Sequence, residues 1–293
     1  MKIENIEISH PDKIMYPKDQ LTKKNIAEYY AKISSYLLPY VKDRPITMRR
    51  YPDGIEEDGF YNKHIPDYFP DFIRRLSVPM KKDDSYMEMV GAEESRDLVY
   101  LADQNTIEMH VALAKVSDID KPDQIIFDFD PSDDDFEKVR RAALAFKDLL
   151  DDSDLISYVK TTGSRGVHIH IPVEVNYGFQ KIKAMTKKIA EKLHDKCSEI
   201  TTIEQRKDKR GDKVFIDYLR NDYGMTAIAP YSLRAKPKAP IAVPLDWEEL
   251  KDKSIGPRSF NLSNIFRRLG QKQDPWADFY NKRKKNQLNM NSI

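Results

Sequence analysis

Two carboxylates alternate with two aromatic rings in the middle of the chain, where Asp128 and Asp130 are interleaved with Phe127 and Phe129. Because successive side chains of a strand point to opposite faces, this spacing predicts both carboxylates on one face and both rings in the core. Like charges this close need a compensating cation, and hard carboxylate oxygens suit Mg²⁺ or Mn²⁺. The pattern therefore indicates a metal-binding strand or, alternatively, a strand-ending turn, because the Asp-Pro-Ser-Asp run is also turn chemistry.

A third carboxylate occurs in another strand-like run, where Asp217 lies between Ile216 and Tyr218. Three carboxylates on neighbouring strands meet the requirement of two-metal phosphoryl transfer. In that chemistry one ion activates an attacking 3′ hydroxyl and the other holds a triphosphate and the leaving pyrophosphate. The sequence thus predicts that Asp128, Asp130 and Asp217 bind metal.

A short turn with two glycines joins two predicted strands, in the run from Gly163 to His168. Backbone amides together with Ser164, Arg165 and His168 could supply donors to a triphosphate, while a plain β-hairpin is the alternative interpretation. His168 and His170 share a face of the second strand, as in a zinc-binding pair. Too few further soft or imidazole ligands lie nearby in the sequence to complete such a site.

The composition is that of a globular protein of 293 residues, with 40% hydrophobic and 33% charged residues. A formal net charge of +1 means that any phosphate-binding surface has to be local. No window reaches the roughly 20 apolar residues of a membrane span, the N terminus does not resemble a secretory signal, and the lone Cys197 cannot form an internal disulfide. These features predict an intracellular protein without a membrane partner.

The elements that must position these residues follow the order strand, helix, strand, strand, helix, strand, which is typical of the split βαβ arrangement. The segments are a strand at 125–127, a helix with inward residues from Phe136 to Leu150, strands at 155–161 and 167–173, a helix at 179–194 and a strand at 214–218. Ser132 and Asp135 predict a capping box before the first helix.

Outside this block the patterns predict fewer elements. They are a helix over 22–38 capped by Thr22, short β-like runs over 45–90, a brief helical stretch over 105–110, a helix over 259–269 and a disordered basic tail over 281–293.

Three motifs, in order and spacing, resemble those of the archaeo-eukaryotic primase superfamily: Asp128-Phe129-Asp130-Pro131, Gly163-Ser164-Arg165-Gly166-Val167-His168 and Val214-Phe215-Ile216-Asp217. The resemblance is closest to the polymerase domain of bacterial ligase D and its free-standing archaeal counterparts, and it covers nearly the whole chain. It implies an α+β primase-polymerase fold in which an RRM-like split βαβ catalytic sheet packs on an N-terminal α/β module. The implied boundaries are one domain over 1–280, with modules at about 1–115 and 116–235 and a C-terminal wrap at 236–280.

The same resemblance assigns roles to residues. It implies two Mn²⁺ or Mg²⁺ ions on Asp128, Asp130 and Asp217, with Asp217 also assisting deprotonation of the primer hydroxyl. The residues it implies for binding the nucleoside triphosphate are Arg49, His110, Ser164, Arg165, His168, Arg220 and Arg234. The residues it implies for binding DNA are Lys13 and Lys23 at a 5′ phosphate and Phe60 and Tyr61 on the template base.

Two positions depart from the usual pattern, with Arg165 where lysine is common and Arg220 where glutamine is expected. An arginine at 165 could tighten triphosphate binding but is a poor general acid. The implied function is a template-dependent repair polymerase of non-homologous end joining that prefers ribonucleotides and acts on 5′-phosphorylated gaps and double-strand breaks. It implies a stand-alone protein in the nucleoid-containing cytoplasm, with a separate ligase and Ku as partners. The alternatives are a replication primase, a non-catalytic DNA-end-binding protein and a metal-dependent phosphoesterase.

Overall fold

The computed structural model describes residues 1–83 and 85–286. The strands are β1 Lys2–Ile3, β2 Ile6–Glu7, β3 Ile14–Tyr16, β4 Leu21–Thr22, β5 Ile46–Arg50, β6 Phe60–Asn62, β7 Arg74–Pro79, β8 Tyr86–Gly91, β9 Thr106–Ala112, β10 Gln124–Pro131, β11 Tyr158–Thr161, β12 Val167–Pro172, β13 Thr201–Thr202, β14 Val214–Asp217, β15 Thr226–Ile228 and β16 Pro244–Leu245. The α-helices are α1 Lys23–Val41, α2 Ser95–Asp103, α3 Phe136–Asp151, α4 Phe179–Lys196, α5 Trp247–Lys251 and α6 Ile265–Gln271. Short 3-10 helices cover Pro17–Asp19, Val116–Asp118, Lys207–Lys209 and Phe279–Lys285.

The chain forms two units. The first comprises Met1–Ile119, Thr226–Ala242 and Phe260–Arg268, and the second comprises Asp120–Met225, Val243–Ser259 and residues 269–286. The residues predicted as a C-terminal wrap, 236–280, are thus divided between the two units. Within the part of the chain that the structure describes, no helix is both long and apolar enough to cross a bilayer.

The second unit contains a sheet with the strand order β13-β14-β10-β12-β11-β16. Strands β10 and β11 are both antiparallel to the intervening β12, and α3 connects them along the chain. The order β14-β10-β12-β11, with α3 and α4 as the crossing helices, is that of a split βαβ unit. The predicted arrangement is therefore confirmed, and it places the two aspartate-bearing strands side by side.

The helix α3 begins differently from the prediction. Its N-cap is Asp135, whose side chain accepts a hydrogen bond from the amide of Glu137. Ser132 instead donates its hydroxyl to the carbonyl of Lys213 at 2.6 Å, so the predicted capping box is wrong. The reason is tertiary, because Lys213, just before β14, offers an acceptor to Ser132 that sequence spacing does not show.

The first unit contains a sheet of order β15-β9-β5-β8-β7, with β6 also paired to β5. The predicted brief helix at 105–110 is wrong, because these residues enter β9 after a turn at Asn105, which has a φ of 61°. Strand β9 lies between β5 and β15 and is buried along its full length. The alternation of Ile107 and Met109 with Glu108 and His110 is strand periodicity, which the local polar content obscures.

The helix α1 confirms the predicted start at Thr22, whose side chain accepts a hydrogen bond from the amide of Asn25, and it continues to Val41. The predicted helix at 259–269 is partly wrong, since α6 covers Ile265–Gln271. The preceding residues are drawn into other pairing: the amide of Ile241 donates to the carbonyl of Phe260 at 3.0 Å.

The predicted disorder from residue 281 is wrong for its first part. A 3-10 helix covers Phe279–Lys285, and Phe279 stacks on Trp276 with a centroid distance of 5.1 Å. Asn286 is buried and donates to the carbonyls of Ile156 and Pro172 at 2.9 and 2.8 Å. These contacts offset the entropy cost of ordering a polar segment. The rest of the predicted tail, 287–293, lies outside the described residues.

Candidate active site

Asp128 and Asp217 are directly paired residues of the antiparallel strands β10 and β14. Side chains of such a pair share one face, with Cβ atoms about 4.5–5.5 Å apart, and Asp130 shares that face by alternation. Phe127 and Phe129 point to the other face, where both are fully buried against an aromatic ring of α3. The predicted separation of carboxylates from core rings is confirmed.

Two arginine side chains form ion pairs with these carboxylates. Arg220 donates from Nε and Nη2 to Oδ2 of Asp128 at 2.9 and 2.8 Å, and its Nε lies 3.7 Å from Oδ2 of Asp217. Arg165 donates from Nη2 to both oxygens of Asp130 at 3.1 and 2.9 Å. The structure thus brings two of the predicted triphosphate-binding residues onto the predicted metal ligands.

The protonation states follow from burial and charge. Burial raises the pKa of Asp130 and of Asp217, and in each case the charge of Asp128 raises it further. Burial would also raise the pKa of Asp128, but His168 and Arg220 outweigh it and hold that pKa well below the usual range. The Nε2 atom of His168 lies 3.4 Å from Asp128. Burial, with a smaller contribution from Lys160, lowers the pKa of His168 to about 3, so its ring is neutral near pH 7.

The turn between β11 and β12 is held together from within. The hydroxyl of Thr162 accepts from the amides of Ser164 and Gly166 at 3.2 and 3.3 Å, so these two amides already have an acceptor. The carbonyl of Ser164 accepts from Nε of Arg258 at 2.7 Å. Gly163 has a φ of 65°, which favours glycine. The amides of Ser164 and Gly166 are therefore less available to a phosphate than the two-glycine motif suggests.

The motif suggests that Gly166 lets the backbone approach a ligand, but in the structure it lets the backbone approach another strand. A Cβ atom at this position would lie 1.8 Å from the carbonyl oxygen of Phe129. The missing side chain thus permits close approach of β12 to β10, the strand that carries Asp128 and Asp130.

His170 lies next to aromatic side chains. Its Nδ1 is 3.0 Å from Oε1 of Gln124, and its ring contacts Trp276 with a centroid distance of 4.8 Å. Over residues 1–83 and 85–286, no three His, Cys, Asp or Glu side chains are arranged as a metal site. The zinc interpretation of His168 and His170 therefore gains no support.

A second cluster of predicted nucleotide-binding residues lies in the first unit around Glu108, which is 1% exposed. Its carboxylate lies 2.9 Å from Nε2 of His110, 3.2 Å from Nε of Arg234 and 3.6 Å from Nη1 of Arg49. Burial raises the pKa of Glu108, but His110, Arg234 and the amide of Ala235 together lower it to about 2. The cluster holds two arginines on one carboxylate, so it keeps an excess positive charge.

The predicted DNA-binding residues differ in accessibility. Phe60 and Tyr61 are 47% and 58% exposed, as an aromatic surface for unpaired bases requires. Lys13 is partly exposed, and its Nζ lies 3.6 Å from Asp53. Lys23 is buried, and its Nζ donates to the hydroxyl of Ser9 at 3.1 Å and to the carbonyl of Asp103 at 2.9 Å.

The sequence of the chain matches the family model of the LigD primase-polymerase domain over residues 22–276. The chain belongs to this family. It is therefore a primase-polymerase domain, and its class of enzyme is the nucleotidyltransferases.

Relatives of this primase-polymerase domain are longer proteins. It is 32% identical over 277 residues to the bifunctional non-homologous end joining protein LigD of Bacillus subtilis, covering 94% of this chain and 44% of the relative. It is 28% identical to the multifunctional non-homologous end joining protein LigD of Mycolicibacterium smegmatis, covering 93% of this chain and 36% of the relative. The chain thus spans less than half the length of these relatives.

A solved structure has the same fold. The polymerase domain of Mycobacterium tuberculosis ligase D in complex with DNA matches with a TM-score of 0.87 and 25% identity, covering 95% of this chain and 99% of that one. The predicted α+β primase-polymerase fold is confirmed.

The carboxylates of this primase-polymerase domain fit divalent metal in donor type and in strand register. Asp128, Asp130 and Asp217 offer hard oxygen donors on one face of paired strands, as Mg²⁺ and Mn²⁺ prefer. Their side chains are turned to Arg165 and Arg220 rather than to one another. The fit is therefore one of chemistry and backbone position, because in the described residues these three side chains do not converge into a metal-binding group.

Sequence reasoning assigned no role to three residues that organise these sites: Glu108, Thr162 and Arg258. Glu108 carries a usable signal, because it alternates with His110 once β9 is assigned as a strand. Arg258 is far from Ser164 along the chain, so local pattern gives no sign of their contact.

Proposed function

We propose that this chain is a template-dependent DNA repair polymerase that fills gaps and extends DNA ends in non-homologous end joining, with a preference for ribonucleotides. The observation that carries the proposal is the direct pairing of Asp128 with Asp217, with Asp130 on the same face. The names of the relatives add the end-joining context, and the neighbour solved with DNA adds the substrate class.

The catalytic roles in this proposal belong to the second unit. Asp128, Asp130 and Asp217 hold two Mn²⁺ or Mg²⁺ ions, which when bound activate the attacking 3′ hydroxyl and neutralise the triphosphate. Asp217 also assists removal of the hydroxyl proton, because it lies directly opposite Asp128 on the face that holds the ions. Ser164, Arg165, His168 and Arg220 bind the triphosphate.

The first unit supplies the remaining proposed contacts. Arg49, His110 and Arg234 bind the nucleotide, because their shared Glu108 fixes them and leaves net positive charge. Phe60 and Tyr61 stack on template bases, and Lys13 recognises a 5′ phosphate. Lys23 takes part only if its ammonium leaves the buried contacts with Ser9 and Asp103. A separate ligase and Ku are the proposed partners, and the nucleoid-containing cytoplasm is the proposed location.

The competing functions differ in what they need. A non-catalytic end-binding protein would not need three carboxylates on one sheet face, and a phosphoesterase would not need a set of arginines suited to a triphosphate. A replication primase would use the same carboxylates but begin chains without a primer.

Primer extension tests the proposal. A gapped duplex with a 5′ phosphate is incubated with Mn²⁺ and either ribo- or deoxyribonucleotides, and the chain is compared with Asp128→Ala. We expect templated insertion of single nucleotides, stronger with ribonucleotides and abolished by the substitution. The matched control is Asp151→Ala, which removes an exposed carboxylate at the end of α3. Full activity of Asp128→Ala would refute a polymerase site at these residues, and equal synthesis without a primer would favour the primase.

A further inference from the structure

Arg220 is held beside the paired aspartates by the backbone that carries it. The next residue, Asn221, is fully buried and binds both backbone polar groups of Ile126 in β10: its Oδ1 accepts at 2.8 Å and its Nδ2 donates at 2.6 Å. The amide of Leu219 also donates to Oδ1 of Asp217 at 2.9 Å. The backbone around Arg220 is thus attached by hydrogen bonds to both aspartate-bearing strands, which keeps the Cα atom of Arg220 close to them while its side chain can still rotate.

The contact uses one of the two carboxylate oxygens that Asp128 could offer to a metal ion. Oδ2 of Asp128 accepts two hydrogen bonds from Arg220, and the same guanidinium approaches Oδ2 of Asp217 at 3.7 Å. An oxygen whose lone pairs accept two charge-assisted hydrogen bonds cannot at the same time coordinate a cation at full strength. Arg220 and a divalent ion therefore compete for this oxygen.

The Arg220 side chain is exposed enough to move away from the two carboxylates. The Arg220 side chain is 32% exposed, whereas those of Asp128 and Asp217 are 11% and 20% exposed. Arginine is always charged, so it neutralises the carboxylates at any physiological pH. Rotation of this one side chain uncovers the carboxylates without moving the strands.

We propose that Arg220 is a built-in counter-ion that competes with divalent metal for Asp128 and Asp217, so that metal binding requires its displacement. The inference rests on the proposed function, in which these aspartates bind metal. Arg220 lowers the affinity of the free protein for metal. When no metal is bound, its positive charge compensates the negative charges of Asp128 and Asp217. It is a positioning residue that sets how much metal the site needs.

The test measures metal binding directly. Free Mn²⁺ is titrated by electron paramagnetic resonance with the full chain, without DNA or nucleotide. Arg220→Gln removes the charge but keeps a polar side chain, and we expect it to bind Mn²⁺ about tenfold to a hundredfold more tightly, as loss of charged hydrogen bonds predicts. Arg206→Gln, which removes an equal charge at a 64% exposed side chain paired with Asp208, should leave the affinity unchanged.

Asp128→Asn distinguishes the proposed metal site from the proposed competition by Arg220. If this variant loses Mn²⁺ binding while Arg220→Gln binds no more tightly than the unaltered chain, competition is refuted and the metal site stands. If neither the unaltered chain nor Arg220→Gln binds Mn²⁺, the proposed metal site and the inference both fall.

A second measurement uses only the unaltered chain, so it does not depend on whether a variant folds. In the unaltered chain, the Nε–H resonance of Arg220 is followed by NMR during a Mg²⁺ titration. Displacement predicts that this resonance shifts with the same midpoint as metal binding, while that of Arg206 stays in place. A bound ion with an unmoved Arg220 resonance would overturn the proposal.

Discussion

Asp128 on β10 and Asp217 on β14 are directly opposed in an antiparallel register, and Arg220 reaches both of their carboxylates. The pairing puts two negative charges on one face of a sheet whose opposite face is apolar core. Such a pair is unfavourable for folding unless a cation compensates, which is typical of a site kept for function rather than stability.

Removal of one of these charges should separate activity from stability. We expect Asp217→Asn to lower templated insertion by at least about a hundredfold, because metal-assisted charge stabilisation contributes several kcal/mol. We expect the same change to leave the melting temperature about the same, since a neutral amide ends the repulsion with Asp128 but also loses the attraction to Arg220. Primer extension and thermal unfolding check the two effects. Loss of activity together with a large drop in melting temperature would instead indicate a folding defect.

Gly166 should tolerate no side chain. Gly166→Ala places a Cβ atom on the carbonyl oxygen of Phe129, which is backbone and cannot move without shifting β10. We expect a loss of about 3 kcal/mol in the free energy of unfolding, measured with urea. Gly270→Ala is the matched control, because a Cβ there meets nothing within 4 Å and the residue lies in α6. Equal stabilities of the two variants would show that the strands are not closely packed at Gly166.

Glu108 should make the first unit sensitive to acid. Its pKa is lowered from 4.5 to about 2, so its ionised form contributes stability above pH 4.5 that is lost as the pH falls towards 2. The shift corresponds to roughly 3 kcal/mol. Urea unfolding between pH 7 and pH 3 should show a flatter dependence for Glu108→Gln, with lower stability at pH 7, because Arg49 and Arg234 lose their counter-ion. An unchanged slope would contradict this assignment, and Glu57→Gln in an exposed loop provides the control.

Lys13 and Lys23 should respond differently to substitution. Lys23→Gln breaks a buried ion pair with Asp103, so we expect a loss of roughly 3 kcal/mol in stability. Lys13→Gln should leave stability unchanged, since surface pairs contribute little. If Lys13 recognises the 5′ phosphate, this variant should extend phosphorylated and unphosphorylated gaps equally. A retained preference for the phosphorylated gap would remove Lys13 from that role.

Local patterns identified most of the second unit. Alternation placed Asp128 and Asp130 opposite their flanking phenylalanines, and helical spacing gave α3 and α4 within a few residues. The pattern failed where long-range partners decide the outcome, as at β9, whose buried Glu108 pairs with Arg234 and Arg49 as well as with His110. It also failed at the start of the basic tail, where Phe279 packs on Trp276.

The sequence by itself determined the carboxylate face, the order of elements and the resemblance to a family, because these depend on periodicity and on residue types within short segments. Only the tertiary structure decided that Asp217 faces Asp128, that Arg220 occupies both carboxylates and that Lys23 is buried. These facts depend on strand register and on contacts between residues distant in the chain. Such contacts form only when the folded chain brings the two residues together with suitable hydrogen-bond geometry and burial, and a short sequence segment specifies neither.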